Sequence, residues 1–179
     1  MQRATFGFKA FNPGDEITFA NPDTLETYGR NKVRKAELWN AKVMVLELED
    51  PVPLKFEKND VVENVTWNPE VEIRGCTASR TPTQYFLITT RGNAIVEDNV
   101  FHLQNKGRPA IKVANDAKNW YESSCVRDMT IRRNTFIHSG EPAIRINPKN
   151  SKPNNSVHQN IRIEENSFIL RPDSHLILN

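Results

Sequence analysis

Two cysteines in 179 residues, Cys76 and Cys125, are too few for a disulfide framework or a cysteine-based metal site. Both read as small buried side chains. No apolar run approaches the roughly 18 residues that a membrane-spanning helix needs, and Met1-Gln2-Arg3-Ala4-Thr5-Phe6-Gly7 lacks the apolar centre of a signal peptide. An excess of one charge is missing too. Lys and Arg number 24 against 22 Asp and Glu, for a net charge of +2, which leaves no electrostatic footprint for nucleic acid or an anionic membrane. There is no phosphate loop, nucleophile elbow or zinc motif. The histidines His102, His138, His158 and His175 are scattered without metal-ligand spacing, which fits solvent or satisfied core roles. Neither metal nor cofactor is expected, and neither nucleic acid nor membrane is an expected partner. The sequons at Asn64 and Asn154 matter only in a eukaryotic secretory setting.

What is present is a repeat. A pattern of aliphatic, two variable residues, Asn, one variable residue and Phe recurs in Val96-Glu97-Asp98-Asn99-Val100-Phe101, Ile131-Arg132-Arg133-Asn134-Thr135-Phe136 and Ile163-Glu164-Glu165-Asn166-Ser167-Phe168. A degenerate copy, Ile73 to Ala78, carries Cys76 and Ala78 at the Asn and Phe positions. A second strand follows each copy: Phe86-Leu87-Ile88, Ile111-Lys112-Val113, Ile144-Arg145-Ile146 and Leu176-Ile177-Leu178. From the Asn position to the end of that strand (76 to 88, 99 to 113, 134 to 146, 166 to 178) the spans are 12, 14, 12 and 12 residues.

Such regularity predicts an all-β chain: a right-handed parallel β-helix of about four coils stacked about 4.8 Å apart. Alternation along each strand puts Ile73, Val96, Ile131 and Ile163 in one interior column and Phe101, Phe136 and Phe168 in another. Asn suits the bend because it tolerates left-handed backbone angles, and stacked Asn amides can bond from coil to coil. The outward column reads Arg74, Glu97, Arg132, Glu164, so stacking sets opposite charges side by side at each step, each pair worth about 0.2–1 kcal/mol.

Residues 1–65 lack the repeat and read as a small antiparallel β-subdomain, with residues 66–179 forming the coils. Val33 to Leu38 and Val43 to Leu48 form a hairpin, and Asp15 and Asp60 fit turn positions. The chain stops just after a strand, so missing N-terminal coils or pairing with a second copy are both expected ways to cover the stack's ends.

Two insertions leave from the same corner of the coil, the usual binding face of a repeat protein. The first, residues 114–125, sets the carboxylates Asp116 and Glu122 around Trp120 and Tyr121. An aromatic platform beside acceptors is what a sugar needs, and paired carboxylates are what a glycosidase needs. A packing role, with the aromatics anchoring the loop and Asp116 capping a turn, competes with that reading. Arg91 directly follows a strand and is placed to reach the loop edge. The second insertion, Asn147 to Ser156, is most simply a solvated loop. Lys112 and Arg145 share an outward column on neighbouring coils; an anionic or polyhydroxyl partner would suit them, as would plain surface snorkelling.

The runs Asp116-Ala117-Lys118-Asn119-Trp120-Tyr121-Glu122-Ser123, Val126 to Phe136, Gly7 to Asp15 and Val61 to Val71 resemble glycoside hydrolase family 110, in order, across nearly the whole chain. The resemblance implies the C-terminal half of an exo-acting, inverting α-1,3-galactosidase with no metal cofactor. It also implies galactose-terminated glycans such as the group B antigen as partners, and a secreted or periplasmic parent. It places the family's paired aspartates upstream of the residues present, so no catalytic residue is assigned. Asp116, Trp120, Tyr121, Glu122 and Arg91 are the expected sugar contacts, in a portion inactive by itself. A non-catalytic carbohydrate-binding or structural β-helix is the alternative.

Overall fold

The computed structural model describes residues 10–103, 108–117, 122, 125–139, 142–152 and 157–171, and every regular element among them is a β-strand. They divide into two compact units. Met1–Asn68, Asp116–Ser124 and Asn150–Asn155 make up one; Pro69–Asn115, Cys125–Lys149 and Ser156–Asn179 make up the other. Both long insertions therefore contribute to the first unit.

That first unit is an antiparallel sheet of β1 (Glu16–Ala20), β2 (Thr27–Asn40), β3 (Val43–Leu48) and β4 (Val61–Asn64), in the order β3-β2-β1-β4. The expected hairpin is present, with Val33 opposite Leu48 and Leu38 opposite Met44. Its turn is closed by the Lys42 N–H donating to Asn40 Oδ1 at 2.8 Å. Ile17, Phe19, Val33 and Ala36 form the core. Gly29 is required where it stands: its φ is +62°, and a Cβ there would come within 2.8 Å of the Pro53 ring. The two turn aspartates also hold distant chain. Asp15 accepts from the Asn12 N–H at 2.8 Å and from Asn64 Nδ2 at 2.7 Å. Asp60 accepts from the Glu57 N–H and the Tyr28 hydroxyl, and burial, followed by that carboxylate, raises the phenol's pKa.

The second unit consists of three parallel sheets that the chain visits in one repeating order. The first pass is β5 (Val71–Arg74), β6 (Thr77–Ser79) and β7 (Phe86–Leu87); the second is β8 (Ala94–Glu97), β9 (Val100–His102) and β10 (Ile111–Val113). The third is β11 (Arg127–Arg132), β12 (Thr135–Ser139) and β13 (Ile144–Ile146), and β14 (Gln159–Glu164) and β15 (Ser167–Leu170) begin a fourth. The sheets run β14-β11-β8-β5, β15-β12-β9-β6 and β13-β10-β7. Each repeat motif thus spans two strands of different sheets with a corner between them, and a full pass has three strands. The predicted strand Leu176 to Leu178 lies outside the described residues.

The columns match their expected register. Val96 faces Ile73 and Ile131, and Ile131 faces Ile163. Phe136 stacks between Phe101 and Phe168 at 5.1 Å, with interplanar angles of 16° and 10°. At the corner the Asn side chains form a ladder. Asn99 Oδ1 accepts from the Cys76 N–H at 2.9 Å, while Asn99 Nδ2 donates to the Ile73 carbonyl at 2.9 Å and to Asn134 Oδ1 at 2.9 Å. Asn134 repeats this on the pass before it, with Oδ1 accepting from the Asn99 N–H and Nδ2 donating to the Val96 carbonyl; Asn166 does the same for Asn134 and Ile131.

Two sequence-based expectations need correction. The left-handed residue at each corner precedes the Asn, or Cys76 in the first copy: Gly75, Asp98, Arg133 and Glu165 have φ of 61°, 57°, 52° and 54°. The outward column sets opposite charges side by side as expected, Arg74 and Arg132 flanking Glu97, and Glu97 is only 2% exposed. Arg74, Arg132 and Arg133 all reach its carboxylate, which is how a charge survives burial. Arg133 also grips Asp98 through Nε at 2.8 Å and Nη2 at 3.0 Å, and that hydrogen bond holds the Asp98 carboxyl below its usual range. Finally, Cys125 is buried but Cys76 is exposed, since it sits on the outermost described pass.

Asn134, 1% exposed and bonded on both faces, is the most sensitive point of the ladder. Replacing it with Ala leaves several buried groups unpaired and is expected to lower unfolding free energy in urea by about 2–4 kcal/mol. Asn93→Ala, at an exposed turn, is expected to stay within about 0.5 kcal/mol. Equal losses at the two sites would contradict the ladder's role.

Candidate functional site

The first insertion leaves the end of β10 through Ala114, Asn115, Asp116 and Ala117, all buried. Its two acids then close a loop. The Glu122 N–H donates to the Asp116 carbonyl at 3.1 Å, and the Asp116 N–H donates to a Glu122 carboxylate oxygen at 3.1 Å. Trp120 and Tyr121, which fall between these two acids in sequence, lie outside the described residues.

Arg91, in the second unit, is half-buried in the turn between β7 and β8. Thr90 builds that turn: its hydroxyl donates to the Pro69 carbonyl at 2.7 Å and accepts from the Gly92 N–H at 3.0 Å. Of the five expected sugar contacts, the structure brings Asp116 and Glu122 together, and it places Arg91 on a different unit.

The described part of the second insertion, residues 147–152, is largely exposed, as expected of a solvated loop, but it is anchored at several points. Asn147 and Lys149 donate backbone N–H groups to the carbonyls of Val113 and Asn115 at 2.8 and 2.9 Å, prolonging the β10–β13 pairing beyond the strands. Farther on, Ser151 Oγ donates to Asp23 Oδ1 at 2.8 Å and the Lys152 N–H to the Asp23 carbonyl at 3.0 Å. Asp23 is itself held in a turn by Asn21, whose Oδ1 accepts from the N–H groups of Asp23 and Thr24. Composition showed only a polar, turn-rich stretch; the receptor for it is more than 100 residues away in sequence, and no local signal points there.

His158 is the residue whose role the sequence left open. The Val126 N–H donates to its Nδ1 at 3.1 Å, tying the chain where it returns from one insertion to where it returns from the other. Next to it, Arg127 donates to the Val157 carbonyl at 2.9 Å. Burial, and secondarily the Arg127 charge, depress the His158 pKa to about 4. Lys112 and Arg145 face one another in register, both half-buried. Among the described residues no group of three His, Cys, Asp or Glu side chains is placed to hold a metal ion.

The histidine gives a signed pH dependence. Unfolded chain binds a proton below an ordinary His value near 6.5, whereas folded chain resists it down to about 4, so the histidine's stabilisation is full above 6.5 and is lost as pH falls. His158→Asn, which keeps an acceptor for the Val126 N–H but cannot titrate, is expected to flatten the fall in melting temperature between pH 6.5 and 4.5. A variant with the wild-type slope would show that other groups set it.

Residues 1–62 match the family model described as GLAA-B beta-barrel domain II. The chain is 44% identical over 177 residues to α-1,3-galactosidase A of Bacteroides thetaiotaomicron, a match covering 97% of this chain and 31% of that protein. It is 45% identical over 171 residues to α-1,3-galactosidase A of Akkermansia muciniphila, covering 96% and 28%. To α-1,3-galactosidase B of Bacteroides thetaiotaomicron it is 34% identical over 180 residues, covering 95% and 29%. It therefore spans only about 30% of the length of the curated relatives it matches. Along almost its whole length, this chain is a homologue of one portion of the α-1,3-galactosidases.

Proposed function

We propose that this chain is the sugar-contacting portion of an exo-acting, inverting α-1,3-galactosidase, and that hydrolysis of terminal galactose belongs to the whole protein. The observation that carries this reading is the match to α-1,3-galactosidases along 97% of the chain. The three parallel sheets support a β-helix, and the general right-handedness of parallel crossovers gives it a right-handed sense. An inverting glycosidase needs two carboxyl groups about 6.5–9.5 Å apart, one to protonate the leaving oxygen and one to activate water, and such a pair works without a cofactor.

Asp116 and Glu122 have a different task in this reading. They bond to each other across the loop, and Trp120 and Tyr121, between them in sequence, are the proposed contacts for the apolar face of galactose. The carboxylate pair is supplied by the remainder of the protein. Galactose-terminated glycans lie outside the cytoplasm, so the parent is secreted or periplasmic. That the Glu122 carboxylate is engaged by the Asp116 N–H also favours a second reading, a non-catalytic carbohydrate-binding module.

The full-length protein carrying this sequence is expected to release galactose from α-1,3-linked galactosides with inversion at the anomeric carbon, followed by proton NMR. No release from any α-1,3-linked galactoside would overturn the enzymatic reading, and retained galactose binding would then favour the binding module. Trp120→Ala is expected to weaken galactose affinity about tenfold, with an unchanged circular dichroism spectrum. Unchanged affinity would reassign Trp120 to anchoring the loop.

A further inference from the structure

The hairpin of the first unit exposes apolar side chains that its own core does not use. Leu38, Trp39, Val43 and Val45 are 52%, 77%, 41% and 51% exposed. Strand β3 is an edge strand of its sheet, and no strand among the described residues pairs with its outer side. Natural edges are usually blunted by proline, lysine or a bulge. None of these is present in β3, whose sequence is Val-Met-Val-Leu-Glu-Leu. The irregularities of the hairpin fall on β2 instead, where Arg34 and Trp39 are the extra residues, so β3 stays regular and Trp39 is turned out of the ladder.

We infer that β3 is a self-association strand, pairing antiparallel with β3 of a second copy of this chain across a two-fold axis. Two features select a second copy over an unlike partner. First, the hairpin is electrically self-neutral: between Arg34 and Glu49 the basic residues are Arg34, Lys35 and Lys42, and the acidic ones are Glu37, Glu47 and Glu49. Arg34 is paired with Glu47 and Lys35 with Glu37 inside the hairpin, so two identical edges meet without net repulsion. Second, the edge is self-complementary. A two-fold antiparallel pair matches residues of the same parity, because facing residues share a side of the sheet. Centred on Met44, Val43 of each copy faces Val45 of the other and Glu47 faces Ala41, so no like charges oppose. Trp39 lies one strand in from the seam, and Leu38, opposite Met44, is on the other face of the sheet from Val43 and Val45. This inference does not depend on the galactosidase reading.

Light scattering on the full chain across a concentration series tests it. The wild-type protein is expected to show twice the chain mass. Val43→Lys combined with Val45→Lys is expected to show the single mass with an unchanged circular dichroism spectrum. Trp39→Ser removes an exposed ring at no cost to the core, and is expected to weaken association about tenfold even if the lysine variant fails to fold. A wild-type monomer at about 100 μM, well above the dissociation constant of a specific interface, would overturn the inference, whether or not another segment covers these side chains. So would a dimer of undiminished affinity in the variants.

Discussion

The second unit depends on one constraint: each pass must lie directly over the one before it. The Asn ladder shows how that is enforced where the sheets cannot do it. At the corner between two sheets the strand direction changes, and backbone groups there have no ladder partner. Each Asn carboxamide serves the preceding pass twice, accepting the corner N–H and donating to the carbonyl of the interior aliphatic residue. A slip of one residue would break both bonds and turn every side chain to the other face. The aliphatic and Phe columns are consequences of that register. They bury Val96, Ile131, Phe101 and Phe136 completely and so contribute to the apolar core of the unit.

Glu97 shows the same constraint in electrostatic form. Because the passes are in register, Arg74 and Arg132 stand on either side of it, and Arg133 closes over it from the adjoining corner. A buried carboxylate with one guanidinium removed would be a liability; with three, it fixes which strands are neighbours. That Asp98 and Arg133 also take left-handed backbone angles ties charge and corner geometry together.

Much of this was legible in the residues. The spacing of Asn99, Asn134 and Asn166 gave the register, and the hairpin from Val33 to Leu48 followed from its alternation and turn. Sequence gave Asn both corner tasks, the left-handed angle and the amide ladder. The structure divides them between the Asn and the residue before it, so that the Asn backbone stays ordinary and its side chain stays free to bond. Burial of Glu97 was not legible, since alternating signs on an outward column look alike whether solvated or enclosed. The anchoring of Ser151 and Lys152 to Asp23 was hidden for another reason: both partners are ordinary turn residues, and only the fold brings them together. At the candidate site the spacing of Asp116 and Glu122 carried no information about their bonds to each other, which only the fold of the loop brings about.

Function builds on these layers. The stack fixes where the insertions leave and return, with His158 binding the two return points, and Asp116 and Glu122 bond to each other in the first of them. The central claim, that corner N–H groups are held by the carboxamides of the next pass, is tested most directly by native-state amide hydrogen exchange measured by NMR. The account predicts that the backbone amides of Asn99 and Asn134 exchange as slowly as those of the core strands β8 and β11. Exchange at the rate of an exposed turn such as Asn93 would contradict it.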